Sequence, residues 1–142
     1  MKLVQISYFS EAAAALTPDD LAAIIRVSQT RNPEIDVTGV LLLRKGRFFQ
    51  VLEGPERALE LLLNRIRQDR RHHDLLVVSR RAIRQREYPN WAMGWTDMPP
   101  STPELAEMFD RISHETRASQ AANPSEVHFL VESFSRGLWD MR

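Results

Sequence analysis

The stretch that most restricts how this chain folds is Gly-Arg-Phe-Phe-Gln-Val-Leu-Glu-Gly at residues 46–54. Phe48, Phe49, Val51 and Leu52 are apolar strand formers, and a glycine punctuates each end. Period-two alternation puts Phe48, Gln50 and Leu52 on one face and Phe49, Val51 and Glu53 on the other. Gln50 is thus in phase with two large hydrophobes and is expected to face a core. A buried primary amide without partners costs about 1–3 kcal/mol. Backbone groups or a water can satisfy it, and so can a functional partner.

The other elements arrange themselves around that strand. Lys2 to Ser10 reads as a first strand, with Val4, Ile6 and Tyr8 on one face and Leu3 and Phe9 on the other. Apolar residues on both faces place it centrally in a sheet covered by helices. Tyr8, like Gln50, brings a polar group into a hydrophobic row. Thr17-Pro18-Asp19-Asp20 opens a helix that carries Leu21, Ile24, Ile25 and Ser28. Pro33 ends it near Arg31-Asn32. Val37 to Arg44 is a second strand, turned by Lys45-Gly46 into the third as a hairpin.

Gly54-Pro55-Glu56 opens a second helix with Leu59, Leu62, Leu63 and Ile66 on its buried face. Arg65 and Asp69 lie four apart and are expected to share one edge of it. The helix runs into Arg70-Arg71-His72-His73. Leu75 to Ser79 reads as a fourth strand. Trp91-Ala92-Met93-Gly94-Trp95 reads as a fifth, with Trp91, Met93 and Trp95 on one face. The order predicts an α+β fold: a ferredoxin-like βαββαβ arrangement with a fifth strand, a mixed sheet with two helices on one face. After Pro99-Pro100 and Pro103 come two C-terminal helices, carrying Leu105, Met108 and Ile112, then Val127, Leu130, Val131 and Phe134. Their apolar stripes must bury against the open sheet face or another subunit.

Composition removes several classes of function. The chain of 142 residues suits one domain with a sizeable core, and its formal charge is zero, so no global charge points to nucleic acid. Charge is uneven, however: arginines gather between Arg65 and Arg86, and acids prevail after Trp95. Absence of cysteine excludes disulfides, thiolate nucleophiles and cysteine-ligated metals. No apolar run approaches a membrane span and no signal-peptide pattern opens the chain, so a soluble cytoplasmic protein is expected. His72-His73 makes no metal site, since adjacent side chains point apart and no carboxylate pattern completes one. No phosphate-binding or dinucleotide fingerprint, nucleophile elbow or hydrolytic triad is present.

What remains unusual is a set of single polar residues in apolar elements: Tyr8, Asn32 and Gln50, with Arg65, Asp69, Arg71 and His72 along the second helix and its exit. If the two helices lie side by side on the sheet, Ile24 and Ile66 wall a slot between them. A flat heteroaromatic ring with donors and acceptors on its rim fits such a slot.

Residues 2–97 resemble a BLUF domain, the flavin-based blue-light sensor. The resemblance rests on Tyr8-Phe9-Ser10, Ser28-Gln29-x-Arg31-Asn32, Val37-Thr38-Gly39, Gly46-x-Phe48-x-Gln50-Val51-Leu52-Glu53-Gly54, Asp69-x-Arg71-His72 and Trp91-x-Met93, in that order. It implies a light-sensing domain over residues 1–98 and a C-terminal helical extension over 99–142, for relay or oligomerisation. It implies non-covalent FAD (or FMN) between the helices, sandwiched by Ile24 and Ile66. Ser28, Asn32, Arg65, Asp69, Arg71 and His72 are then the further flavin-binding residues. Tyr8 is implied as electron and proton donor, and Gln50 as an amide that rearranges and shifts the flavin spectrum to the red. Trp91 and Met93, expected on the fifth strand, are implied to exchange places near Gln50. Arg31, Tyr88 and Leu43 depart from the residues usual at those positions.

With no output enzyme recognisable, the resemblance is to short BLUF proteins. It implies a homo-oligomer that signals to a separate downstream protein and is not itself an enzyme. The alternatives are an acylphosphatase-like hydrolase using Arg31 and Asn32, or a ligand-binding regulatory module on a ferredoxin-like fold.

Overall fold

The computed structural model describes residues 2–142. Five strands form one sheet: β1 (Leu3–Ala12), β2 (Thr38–Arg44), β3 (Arg47–Pro55), β4 (His72–Ala82) and β5 (Gly94–Thr96), in the spatial order β4-β1-β3-β2-β5. Every neighbouring pair is antiparallel except β2 with β5, so the sheet is mixed as expected. Four helices complete the fold: α1 (Pro18–Arg31), α2 (Glu56–Arg67), α3 (Pro103–Ser119) and α4 (Pro124–Ser135).

The alternation along β1 and β3 decides which helices cover which face. Val4, Ile6, Tyr8, Phe48 and Leu52 pack with Leu21 and Ile25 of α1 and Leu59 and Leu63 of α2. Phe9, Phe49 and Val51 pack with Leu105, Phe109 and Ile112 of α3 and Val127, Leu130, Val131 and Phe134 of α4. The C-terminal helices therefore cover the sheet face that α1 and α2 leave open. β1 and β3 are central and apolar on both sides for that reason.

Local chemistry sets the boundaries. Thr17 and Asp20 form a capping box at the start of α1. Pro33 diverts its end into a 3-10 turn, Asn32–Ile35, closed by Asp36 in the left-handed region. Lys45 and Gly46 both have positive φ, as a two-residue hairpin turn between β2 and β3 requires. Gly39 admits no side chain, because a Cβ there would lie 2.1 Å from the Val51 carbonyl oxygen.

Two elements end elsewhere than the sequence suggests. α2 stops at Arg67, so Asp69 lies in the following turn and does not share a helical edge with Arg65. The Asp69 carboxylate accepts the Arg71 backbone N–H at 3.0 Å, and the His72 ring takes the Ile66 carbonyl. Both bonds compete with helix continuation. His72 then begins β4, which is longer than the Leu75–Ser79 core of the pattern.

β5 holds only Gly94–Thr96, so Trp91 and Met93 lie outside it and do not share a face. Met93 packs on the α1/α2 side and Trp91 on the α3/α4 side. The backbone before β5 is held by side chains from the end of α1 and from the 3-10 turn, and the Trp91 carbonyl accepts the Gly39 N–H of β2 (3.0 Å). Gln29 Nε2 donates to the Met93 carbonyl (3.0 Å), and Asn32 Nδ2 to that of Ala92 (2.8 Å).

Candidate functional site: the slot between the first two helices

Between α1 and α2, above the sheet, lies a cavity of about 620 Å³, within the size range of small-molecule and cofactor sites. Ile24 and Ser28 of α1 line one wall, and Arg65 and Ile66 of α2 the other. Asn32, Asp69, Arg71 and His72 close the rim, and Tyr8, Gln50 and Met93 form part of the floor. Every site residue expected from the sequence lines this cavity except Trp91, which stacks on Tyr88 with ring centroids 5.6 Å apart. Gln29, which positions Met93 through its carbonyl, was given no role from sequence. Its signal was three-residue spacing to Asn32, which puts both on one face of the helix end.

The register of β1 on β3 pairs Tyr8 directly with Gln50. Both are buried, and the Tyr8 hydroxyl donates to Gln50 Oε1. The other end of the amide is less well served: Gln50 Nε2 reaches only Met93 Sδ, at 3.5 Å, and a thioether is a weak acceptor. The amide expected from periodicity to need a partner is thus satisfied on its oxygen and underused on its nitrogen. Asn32 is buried too, and with Nδ2 donating to Ala92 its Oδ1 remains an acceptor for a ligand.

The rim is held by charge and by the histidine. Arg71 donates from Nε and Nη2 to Asp69, and this hydrogen-bonded pairing keeps the Asp69 carboxyl below the usual carboxylate range. A carbonyl only accepts, so His72 Nε2 donates to Ile66 O (2.6 Å), and in the neutral ring Nδ1 accepts from the Ser10 hydroxyl (2.8 Å). Arg31 is the last residue of α1 and Asn32 is already bonded to Ala92, so the two form no phosphate-cradling loop.

Burial, and after it the charge of Asp69, raises the Tyr8 phenol well above its ordinary value. Burial and the nearby Glu87 do the same for Tyr88, whose hydroxyl donates to the Val131 carbonyl. A raised folded-state pKa gives stability that is complete below the unfolded value, near pH 10 for tyrosine, and is lost as pH rises above it. Urea unfolding midpoints attributable to the tyrosines are therefore expected to stay level up to about pH 9 and to fall beyond about pH 10. A midpoint that rises above pH 10 would contradict the burial of these phenols.

A family model, "Sensors of blue-light using FAD", matches residues 3–94. The chain belongs to the BLUF family. BLUF relatives include the photoactivated adenylate cyclase subunit alpha of Euglena gracilis, 38% identical over 129 residues, and subunit beta of Euglena longa, 34% identical over 128. These alignments cover 89% and 88% of this chain but only 13% and 15% of those proteins, so the chain spans a small part of the length of the cyclases it matches. Among solved structures, dark-state BlrB, a BLUF protein, superposes with a TM-score of 0.79 at 28% identity, covering 96% of this chain and 98% of that one. Photo-activated BlsA shares the fold, with a TM-score of 0.82 at 21% identity over 97% and 98% of the two chains. Klebsiella pneumoniae BlrP1 with FMN and cyclic diGMP aligns at 33% identity and a TM-score of 0.66, over 74% of this chain and 29% of that one.

This BLUF chain is a blue-light sensor domain that uses a flavin, and the slot fits one. Aliphatic side chains face each other across it, a buried amide nitrogen lacks a strong acceptor, and Asn32, its Nδ2 already bonded, offers its Oδ1 at the rim. Among the described residues no helix is long and apolar enough to cross a membrane.

Proposed function

We propose that Tyr8 and Gln50 are the light-responsive pair, and that the residues lining the slot hold the flavin around them. Ile24 and Ile66 would enclose the ring; Ser28, Asn32, Arg65, Asp69, Arg71 and His72 would bind its rim and the start of its tail. Bound there, the flavin supplies blue-light absorption and an electron acceptor in its excited state. Tyr8 would give up the Oη proton together with an electron and take both back, leaving no net chemistry. During that cycle Gln50 reverses its amide or changes tautomer. An amide carries a donor at one end and an acceptor at the other, so reversal exchanges several hydrogen bonds at nearly equal energy. In a dry site each of those bonds counts for more than in water.

The observation that carries this reading is the buried Tyr8–Gln50 hydrogen bond on the floor of the slot, with Met93 against the amide nitrogen. Reversal puts the oxygen where the nitrogen met Met93, so Met93 is the first residue outside the pair to feel it. Trp91, two residues away on the opposite side of the sheet, is the proposed partner in that exchange. Through β5 the change would reach residues 99–142, the relay, and then a separate downstream protein or a second copy of the chain. The match to BlrB, a BLUF protein, spans 96% of this chain and so extends into residues 99–142.

The test is a light-minus-dark difference spectrum of the purified full chain. The expected result is a yellow protein whose absorption shifts to the red under blue light and recovers in darkness. A colourless protein, or a yellow one with no reversible shift, would overturn the reading.

A further inference from the structure

The lip of the slot carries features that the Tyr8–Gln50 pair does not use. Val27, Arg31 and Ile35 follow at four-residue intervals along the end of α1 and the 3-10 turn beyond it, and all three line the cavity. Val27 is 48% exposed and Ile35 38% exposed, an apolar pair in solvent with a guanidinium between them. From α2 across the mouth comes Arg65. Among the described residues neither Arg31 nor Arg65 forms a salt bridge. Arg71, by contrast, is held by Asp69 at 2.6 Å. Glu34 is the other acid lining the cavity, so arginines outnumber acids on its wall.

An apolar–cationic–apolar stripe at the mouth suits the tail of whatever ring the slot takes. A guanidinium recognises phosphate with paired N–H donors, and exposed aliphatic side chains suit the face of a purine. The tail varies among relatives: the family is described by FAD, and the BlrP1 structure holds FMN. We propose that this lip selects the length of the flavin's tail: Arg31 favours phosphorylated flavins over riboflavin, and Ile35, with Val27, favours the adenine dinucleotide over the mononucleotide. The proposal rests on the flavin reading of the slot.

The experiment is a competition on the full chain. The protein is equilibrated with equal amounts of riboflavin, FMN and FAD, desalted, and its bound flavin separated by chromatography, at low and high salt. Expected is a preference for FMN over riboflavin of about tenfold, the worth of one charge-assisted contact, which shrinks as salt screens the exposed arginine. Arg31→Gln should bring that ratio near one by lowering uptake of FMN and FAD while riboflavin, offered alone, binds as to wild type, and Ile35→Ser should lower the FAD-to-FMN ratio alone. Equal uptake of the three flavins by the wild type, or an Arg31→Gln variant that keeps the wild-type ratio or loses all three flavins alike, would overturn the proposal. A folded wild type that takes up no flavin at all would sink the reading of the slot itself, and this proposal with it.

Discussion

Replacing Gln50 with leucine should give a folded, yellow protein that shows no light-induced red shift. The argument is local. Gln50 Oε1 accepts the Tyr8 hydroxyl and Nε2 lies against Met93, so the amide links the phenol to Met93. Leucine has nearly the same size and keeps the row formed by Phe48 and Leu52 apolar, but it has nothing to reverse. The substitution leaves the buried Tyr8 hydroxyl without its acceptor, at a cost of about 1–3 kcal/mol that added apolar burial partly offsets. Folding and flavin uptake should therefore survive while the optical response is lost. The checks are flavin stoichiometry and a light-minus-dark spectrum; a normal reversible shift in Gln50→Leu would show that the amide is not the switch.

The second large effect is on stability. Glu53 is fully buried on the α3/α4 side of β3, beside Phe49 and Val51. Its carboxylate accepts Gln5 Nε2 at 2.8 Å, the Glu87 N–H at 2.9 Å and the Tyr88 N–H at 2.8 Å. Arg86, the next residue back, donates to the Glu53 carbonyl and to Thr38 and Asp36. Glu53→Ala strands three donors, each worth about 1–3 kcal/mol when left unpaired in the interior, so a loss of about 3 kcal/mol or more is expected. Glu53→Gln retains one acceptor oxygen and should cost less. Urea unfolding measures both, and an Ala variant within about 1 kcal/mol of wild type would mean that water replaces the carboxylate. The anchored segment continues into Trp91 and Met93, so Glu53→Ala should also loosen the polypeptide next to the slot.

The two central strands, the first helix with its cap, the hairpin and the amphipathic C-terminal helices were legible because each has a strong period or a turn signal of its own. The polar groups on the slot floor were legible by the same rule, as Tyr8 and Gln50 fall in phase with hydrophobes. That rule applied equally to Glu53, in phase with Phe49 and Val51, yet its buried carboxylate went unread because the donors that satisfy it lie far along the chain. Trp91 and Met93 were misplaced for a related reason. Alternation put them on one face, but side chains from α1 and the 3-10 turn hold that backbone in a non-strand path, and no local pattern reports a bond made from about sixty residues away. Asp69 failed similarly: helical spacing to Arg65 was present, but its carboxylate turned to Arg71 and helped to end the helix.

The unequal pairing of the sheet has a mechanical meaning. β3 is bound along its length to β1 and β2, whereas β5 meets β2 at three positions, in parallel, and its outer side is tied to the chain end by Arg142 N–H to the Trp95 carbonyl and Thr96 to that of Asp140. A push from the slot finds a stiff spine on one side and a thin seam on the other. Under the proposed switch, yield would fall at the seam, and what it would move there is the stretch around residues 140–142.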